Sequence, residues 1–227
     1  MNKKKDMKYG DDNYTEAWLD ANFFGPLSEK LSHPVHKLGL TPNNITFIST
    51  LFGLYACYML YNNRIKQAMI YWLISYIFDC IDGRLARNYN MSSAFGEAFD
   101  FVSDMVGNVL LILILLFKVK RKLPVFIVIS IISYICMIWH GLCEALKNYG
   151  DKKNDNFLKT KEEKFKGNNV MYKIYLMFMK SSYSTYRMVM PKYDESKVYK
   201  YLSVVKMFGP GHMTIFFLAL IYLSKKL

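Results

Sequence analysis

Cysteine is scarce in this chain, with four in 227 residues. That density excludes a secreted disulfide scaffold. All four (Cys57, Cys80, Cys136, Cys143) fall inside apolar runs, where cysteine behaves as a small buried hydrophobe. No pair has zinc-ligand spacing with a histidine partner, so a structural zinc site is not expected. Acidic residues are also few, 18 Asp and Glu against 30 Lys and Arg, leaving a formal net charge of +12. Charged residues make up only 21% of the chain while 52% is hydrophobic, which excludes intrinsic disorder. The N-terminus lacks the apolar core of a cleavable signal peptide: Met1 to Asp12 is rich in Lys and Asp. Internal repeats and low-complexity tracts are absent too.

What is present is a set of long apolar runs separated by lysine clusters. The mean hydropathy of +0.07 averages these two populations and hides both. Runs of about 20 apolar residues are long enough to cross a bilayer. Six are visible: Ile45–Tyr61, Ile65–Phe78 with its helix continuing through Asp79 to about Arg87, a third helix from Ser93 to Phe117, Leu123–Leu146, Val170–Met190 and Tyr201–Leu223. The expected fold is an all-α integral membrane protein of six transmembrane helices, with Gly209-Pro210-Gly211 breaking the last. This layout excludes a basic soluble nucleic-acid binder. Residues 1–41 form an extramembrane arm and residues 42–227 the membrane domain.

Within the arm, Tyr14 to Leu31 spaces Trp18, Leu19, Phe23, Phe24, Leu27 and Leu31 among polar residues, with Gly25-Pro26 as a break. That pattern fits an amphipathic interfacial helix, or a helix covering the protein's own cytosolic face. Thr41-Pro42-Asn43-Asn44 predicts an N-cap into the first span. The Lys/Arg bias favours both termini inside, with the Lys-rich segment 147–169 as a solvated cytosolic loop beside anionic lipid.

One stretch reverses the general charge. It reads Asp79-Cys80-Ile81-Asp82-Gly83-Arg84-Leu85-Ala86-Arg87, then Gly96, Asp100 and Asp104. On a helix, 79, 82, 83, 86 and 87 share one face, and 96, 100 and 104 form another stripe. A short turn can fold the two faces together. Four carboxylates converging near a bilayer repel one another and are costly to desolvate unless cations compensate. Two hard, oxygen-liganded ions, Mg2+ or Mn2+, suit such a set. A pair of ions about 4 Å apart can hold a diphosphate and stabilise entering and leaving oxygens. Gly83, Ala86 and Gly96 leave space for a nucleotide or a second helix, and Arg87 is placed to meet phosphate oxygens.

This spacing resembles the signature of the CDP-alcohol phosphotransferase family, with every fixed position present. Pro42-Asn43-Asn44-Ile45-Thr46 is similar to the turn that opens the family's first span. The resemblance implies transfer of a phosphoalcohol group from a CDP-alcohol donor to an acceptor alcohol, with release of CMP. It implies Asp79, Asp82, Asp100 and Asp104 as metal ligands and Asp104 as the general base. It places Gly83, Ala86 and Gly96 along the nucleotide and Arg87 at the diphosphate. It also implies a homodimer and a site on the cytosolic side of the membrane, that of the endoplasmic reticulum in a eukaryote.

For the donor, Leu85 stands where members using CDP-choline or CDP-ethanolamine often carry Gln, and the length resembles shorter members that use CDP-diacylglycerol, including phosphatidylinositol synthases. Choline or ethanolamine phosphotransfer is the alternative. His140 with Glu144, and Tyr183, Tyr186 and Arg187, are candidate acceptor contacts, against helix packing as the simpler role. Two other classes compete. A cation transporter would continue its polar residues across the bilayer, whereas Val109 to Phe117 is purely apolar. A non-catalytic lipid-binding protein would not need the intact signature.

Overall fold

The computed structural model describes residues 17–120, 122–149, 157–189 and 195–224, and within them it is helical without strands. A π-helical turn at Asp20–Phe24 leads into α1 (Gly25–Lys37). Then come α2 (Pro42–Tyr61), α3 (Ile65–Asn88) and α4 (Ala94–Lys118), followed by α5 (Lys122–Tyr149), α6 (Phe157–Lys164) and α7 (Val170–Val189). The last elements are α8 (Glu195–Val205), a 3-10 turn at Lys206–Phe208 and α9 (Pro210–Leu223).

The helix starts follow their local chemistry. Thr41 caps α2 through a capping box, its hydroxyl accepting from the Asn44 N–H while the Asn44 carboxamide accepts from the Thr41 N–H at 3.0 Å. Ser93 caps α4 by accepting from the Gly96 N–H at 2.9 Å. Between α3 and α4, Asn90 takes φ +54°, a left-handed conformation that asparagine tolerates well.

Four segments are long and apolar enough to cross a membrane: Pro42–Tyr61, Ala94–Lys118, Lys122–Cys143 and Ser196–Leu223. Large apolar side chains on the outside of the bundle, such as Leu113, Phe117, Leu123 and Ile131, are exposed as expected for a surface solvated by lipid. The protein is an integral membrane protein. Helix α3 carries too many polar residues to qualify by composition, yet it pairs with α2 over its length. Small residues permit that pairing: Ser49 Oγ donates to the Ser75 carbonyl and Ser75 Oγ to the Ser49 carbonyl, both at 2.9 Å, and a Cβ on Gly53 would sit 3.1 Å from Ser75 Oγ.

Three expectations are revised. The Gly25-Pro26 pair does not break the N-terminal helix; proline occupies the first turn of α1, where its missing N–H costs nothing. Helix α1 covers the end of α3, with Leu31 and Val35 packed against Ile45, Ile81 and Leu85, while Trp18 and Phe23 stay exposed. Second, the Lys-rich segment contains α6, which is docked rather than loose: Phe165 is buried against Ala98, Tyr175 and Met179. Third, α9 runs antiparallel to α3. Gly211 lies near Asp20, Phe217 packs on Trp72, and Ile221 joins Leu60, Ile65 and Leu115. The end of α9 therefore lies opposite the aspartates, whereas the charge bias had placed both termini on one side. The cause is α8. Its Val198 and Leu202 pack on Trp139, Leu142 and Cys143, and Gly209 lies against Trp139 as well, so α9 starts at the end of the bundle towards which α5 runs.

Candidate active site

The C-terminal half of α3 and the first turns of α4 meet at one end of the bundle, joined by the turn around Asn90. Carboxylate oxygens of Asp79, Asp82 and Asp100 come within 4.8 Å of one another there. Asp82 is buried, and Asp79 and Asp100 are half-buried. An all-carboxylate donor set at this spacing fits a hard divalent cation. Asp104 is exposed, one turn further along α4 from Asp100.

The first turn of α2 completes the site, a contribution that sequence reading assigned only to capping. Thr46 Oγ1 donates to Asp82 Oδ2 at 2.7 Å, with the Pro42 carbonyl 3.1 Å away as a weaker second acceptor. A Cβ built on Gly96 would lie 2.9 Å from Asn43 Oδ1 and 3.1 Å from Ser93 Oγ, so Gly96 serves the close approach of α2 to α4. On α3, the Arg87 guanidinium folds back over Gly83, where a Cβ would lie 3.3 Å from Nη1. Ala86 is half-buried one position before it. Arg84 instead reaches α1, with Nε 3.3 Å from Glu29 Oε2.

Beside this group, Glu97 is held by three side chains from the α6–α7 unit. Lys161 Nζ lies 2.8 Å from Glu97 Oε1, and Lys164 and the Tyr175 hydroxyl also donate to the carboxylate. Of the candidate acceptor contacts, His140 is half-buried, edge-on to Phe178 with ring centroids 5.8 Å apart and Nδ1 3.5 Å from Ser182 Oγ. Tyr183 packs at the edge of the Trp139 cluster, and Arg187 is exposed. His140 and Tyr183 thus lie where α5 and α7 meet. The side chains of Glu144 and Tyr186 lie outside the described residues. The four cysteines form no disulfide among the described residues.

The family profile described as CDP-alcohol phosphatidyltransferase matches residues 39–208. Among curated proteins, the chain is 37% identical over 76 residues to a CDP-diacylglycerol–serine O-phosphatidyltransferase of Helicobacter pylori, covering 33% of this chain and 31% of that one. It is 31% identical over 90 residues to CDP-diacylglycerol–inositol 3-phosphatidyltransferase 1 of Arabidopsis thaliana, covering 40% and 37%. It is 32% identical over 80 residues to archaetidylinositol phosphate synthase of Pyrococcus horikoshii, covering 35% and 43%. The matched stretch thus spans between about a third and two fifths of each relative. No solved structure gives a significant match.

Proposed function

The chain belongs to the CDP-alcohol phosphatidyltransferase family, a membrane-embedded group of enzymes that transfer substituted phosphate groups, and from that membership we propose that its donor is CDP-diacylglycerol and its acceptor a small polar alcohol. The observation that carries the reading is the convergence of Asp79, Asp82 and Asp100 within 4.8 Å at one end of an apolar bundle. The names of the relatives, which act on CDP-diacylglycerol with serine or inositol, support the same donor.

In the proposed reaction an acceptor hydroxyl attacks the phosphorus that carries the diacylglycerol. The bond from that phosphorus to the bridging oxygen breaks, and CMP leaves with the oxygen. Asp104, exposed beside the cluster, takes the hydroxyl proton. Asp79, Asp82 and Asp100, with Asp104, would hold two divalent cations, Mg2+ or Mn2+, which would supply charge to neutralise the diphosphate. Arg87 adds a fixed positive charge one to two turns from the carboxylates. Thr46 orients Asp82 through its hydroxyl, and the tight α2–α4 contact at Gly96 keeps Asp100 against α3. Catalysis then rests on positioning and charge more than on covalent chemistry.

The aspartate end lies at the cytosolic face in this reading. Arg84, Arg87 and the lysines of α6 gather at that end, and α8 brings Lys197 and Lys200 towards it. Pairing into a homodimer, as the family resemblance implies, belongs to the same proposal.

The test incubates membranes carrying the chain with radiolabelled CDP-diacylglycerol, CDP-choline or CDP-ethanolamine and a panel of alcohols. CMP release from CDP-diacylglycerol that requires Mg2+ or Mn2+ is the expected result. Release from CDP-choline or CDP-ethanolamine alone would overturn the donor assignment, and release from none would overturn the reading as a whole.

A further inference from the structure

The N-terminal arm reaches further into the bundle than its sequence suggests. Asp20 opens the π-helical turn before α1, a wider turn that closes through the Gly25 N–H to the Asp20 carbonyl. Its carboxylate accepts from two elements far away in sequence. One oxygen accepts a hydrogen bond from the Tyr76 hydroxyl on α3, and the other accepts from the Gly211 N–H at 3.0 Å, in the first turn of α9. The N-cap position of α9 is Gly209, which has no side chain, so Asp20 supplies the cap from 191 residues away. A carboxylate at that position also favours the positive end of the helix dipole. The fit is tight: a Cβ on Gly211 would lie 2.5 Å from Asp20 Oδ1, and one on Gly25 would lie 2.6 Å from the Asp20 carbonyl oxygen.

Tyr76 lies one turn before Asp79, on the same stripe of α3. Its ring is fixed as well as its hydroxyl, because the buried Phe24 packs edge-on against it with centroids 4.8 Å apart. Beyond the aspartates, α1 holds α3 a second time: Arg84 Nε lies 3.3 Å from Glu29, and the Asn88 carboxamide donates to Glu29 at 3.1 Å and to Ser32 at 3.3 Å. The segment carrying Asp79 and Asp82 is thus bracketed by contacts to one N-terminal element. A rotation of α3 by about 10° would carry a carboxylate at a radius of roughly 6 Å through about 1 Å, and displacement on that scale costs an enzyme heavily.

From these contacts we infer that Asp20 is a positioning residue for the reaction proposed above, setting the rotation of α3, and hence the carboxylates of Asp79 and Asp82, through Tyr76. The inference rests on the metal-site reading of those aspartates. Asp20 touches neither the nucleotide nor the reacting atoms in this role; it acts through the tyrosine hydroxyl.

The experiment measures Mn2+ binding by electron paramagnetic resonance on the full chain purified in detergent, recording dissociation constant and site number separately. Variants are Tyr76→Phe, which removes one hydroxyl and leaves the α9 cap intact, Asp20→Ala, and the two combined. Expected is a weakening of Mn2+ binding of about tenfold in each, as for residues that orient metal ligands, with site number unchanged. The combined variant should bind no more weakly than Asp20→Ala, because both substitutions cut one linkage. If Tyr76→Phe binds Mn2+ within about twofold of the natural chain, and Asp20→Ala lowers only thermal stability or site number, Asp20 is a helix cap and the inference falls. If the natural chain binds no Mn2+, the metal-site reading falls first and takes this one with it.

Discussion

The hydroxyl of Thr46 donates to a carboxylate oxygen of Asp82 at 2.7 Å, joining residues 36 positions apart in a buried contact. Asp82 is 4% exposed, so the hydroxyl is a main means of fixing which way its carboxylate faces. Thr46→Val keeps the shape and removes the donor. A hydrogen bond to a charged group contributes about 1.5–3 kcal/mol, so the concentration of Mg2+ needed for half-maximal CMP release should rise roughly tenfold or more. Thr46→Ser should restore the natural value. Equal metal dependence in all three proteins would remove Thr46 from the site.

Asp104 is exposed one turn along α4 from Asp100, which suits a group that must meet an incoming alcohol and release a proton. Asp104→Asn should lower the rate of CMP release by about 10²–10⁴-fold, the usual contribution of a general base. Binding of the CDP-alcohol, followed by equilibrium dialysis, should change far less. A variant that turns over at the natural rate would mean that another group takes the proton.

Much of this architecture was legible because the signals are local. Thr41 caps the helix it was expected to cap, α4 begins beside Ser93 as read, and the 79, 82 and 100 positions follow helical periodicity onto facing stripes. The Gly209-Pro210-Gly211 break is also where the final helix divides. What escaped depends on partners distant in sequence. Nothing near Asp20 announces Gly211, and the seven lysines around α6 hide Phe165, whose buried ring docks it. The direction of α9 was missed for the same reason. Charge counts assume that each apolar run crosses once, whereas α8 precedes α9 and packs Val198 and Leu202 on α5.

Gly96 illustrates a residue with two roles that experiment can separate. Its resemblance-based role is to line the nucleotide, while the structure places the Asn43 carboxamide 2.9 Å from where its Cβ would be. Gly96→Ala should therefore overpack the α2–α4 contact and cost about 1–3 kcal/mol, seen as a lower unfolding temperature in detergent. Asn43→Ala in the same chain should recover most of that loss by vacating the space. If nucleotide affinity remains poor after stability returns, Gly96 also borders the nucleotide; if both recover together, its part is packing alone.

The ion cluster at Glu97 makes α6 part of the folded unit, and that can be measured by its accessibility. Glu97 lies one position after Gly96 and receives Lys161 and Lys164 as well as the Tyr175 hydroxyl. The Lys161 side chain is only 14% exposed, whereas Glu97 at 32% and Lys164 at 45% keep some contact with solvent, so the cluster is screened in part. Glu97→Gln leaves the tyrosine an acceptor and removes the charge that holds both lysines. A loss of about 1–2 kcal/mol would raise the open population of α6 by roughly 5–30-fold. Trypsin cleavage within Lys159–Lys166 should accelerate by a similar factor under conditions where opening and closing are fast compared with cutting. The buried Phe165 sets a limit on the effect, since it still packs on Ala98 and Tyr175 when the charge is gone. Phe165→Ala should consequently release the segment more than Glu97→Gln does, and the reverse order would show that the ion cluster, not the ring, is what holds α6 beside the aspartates.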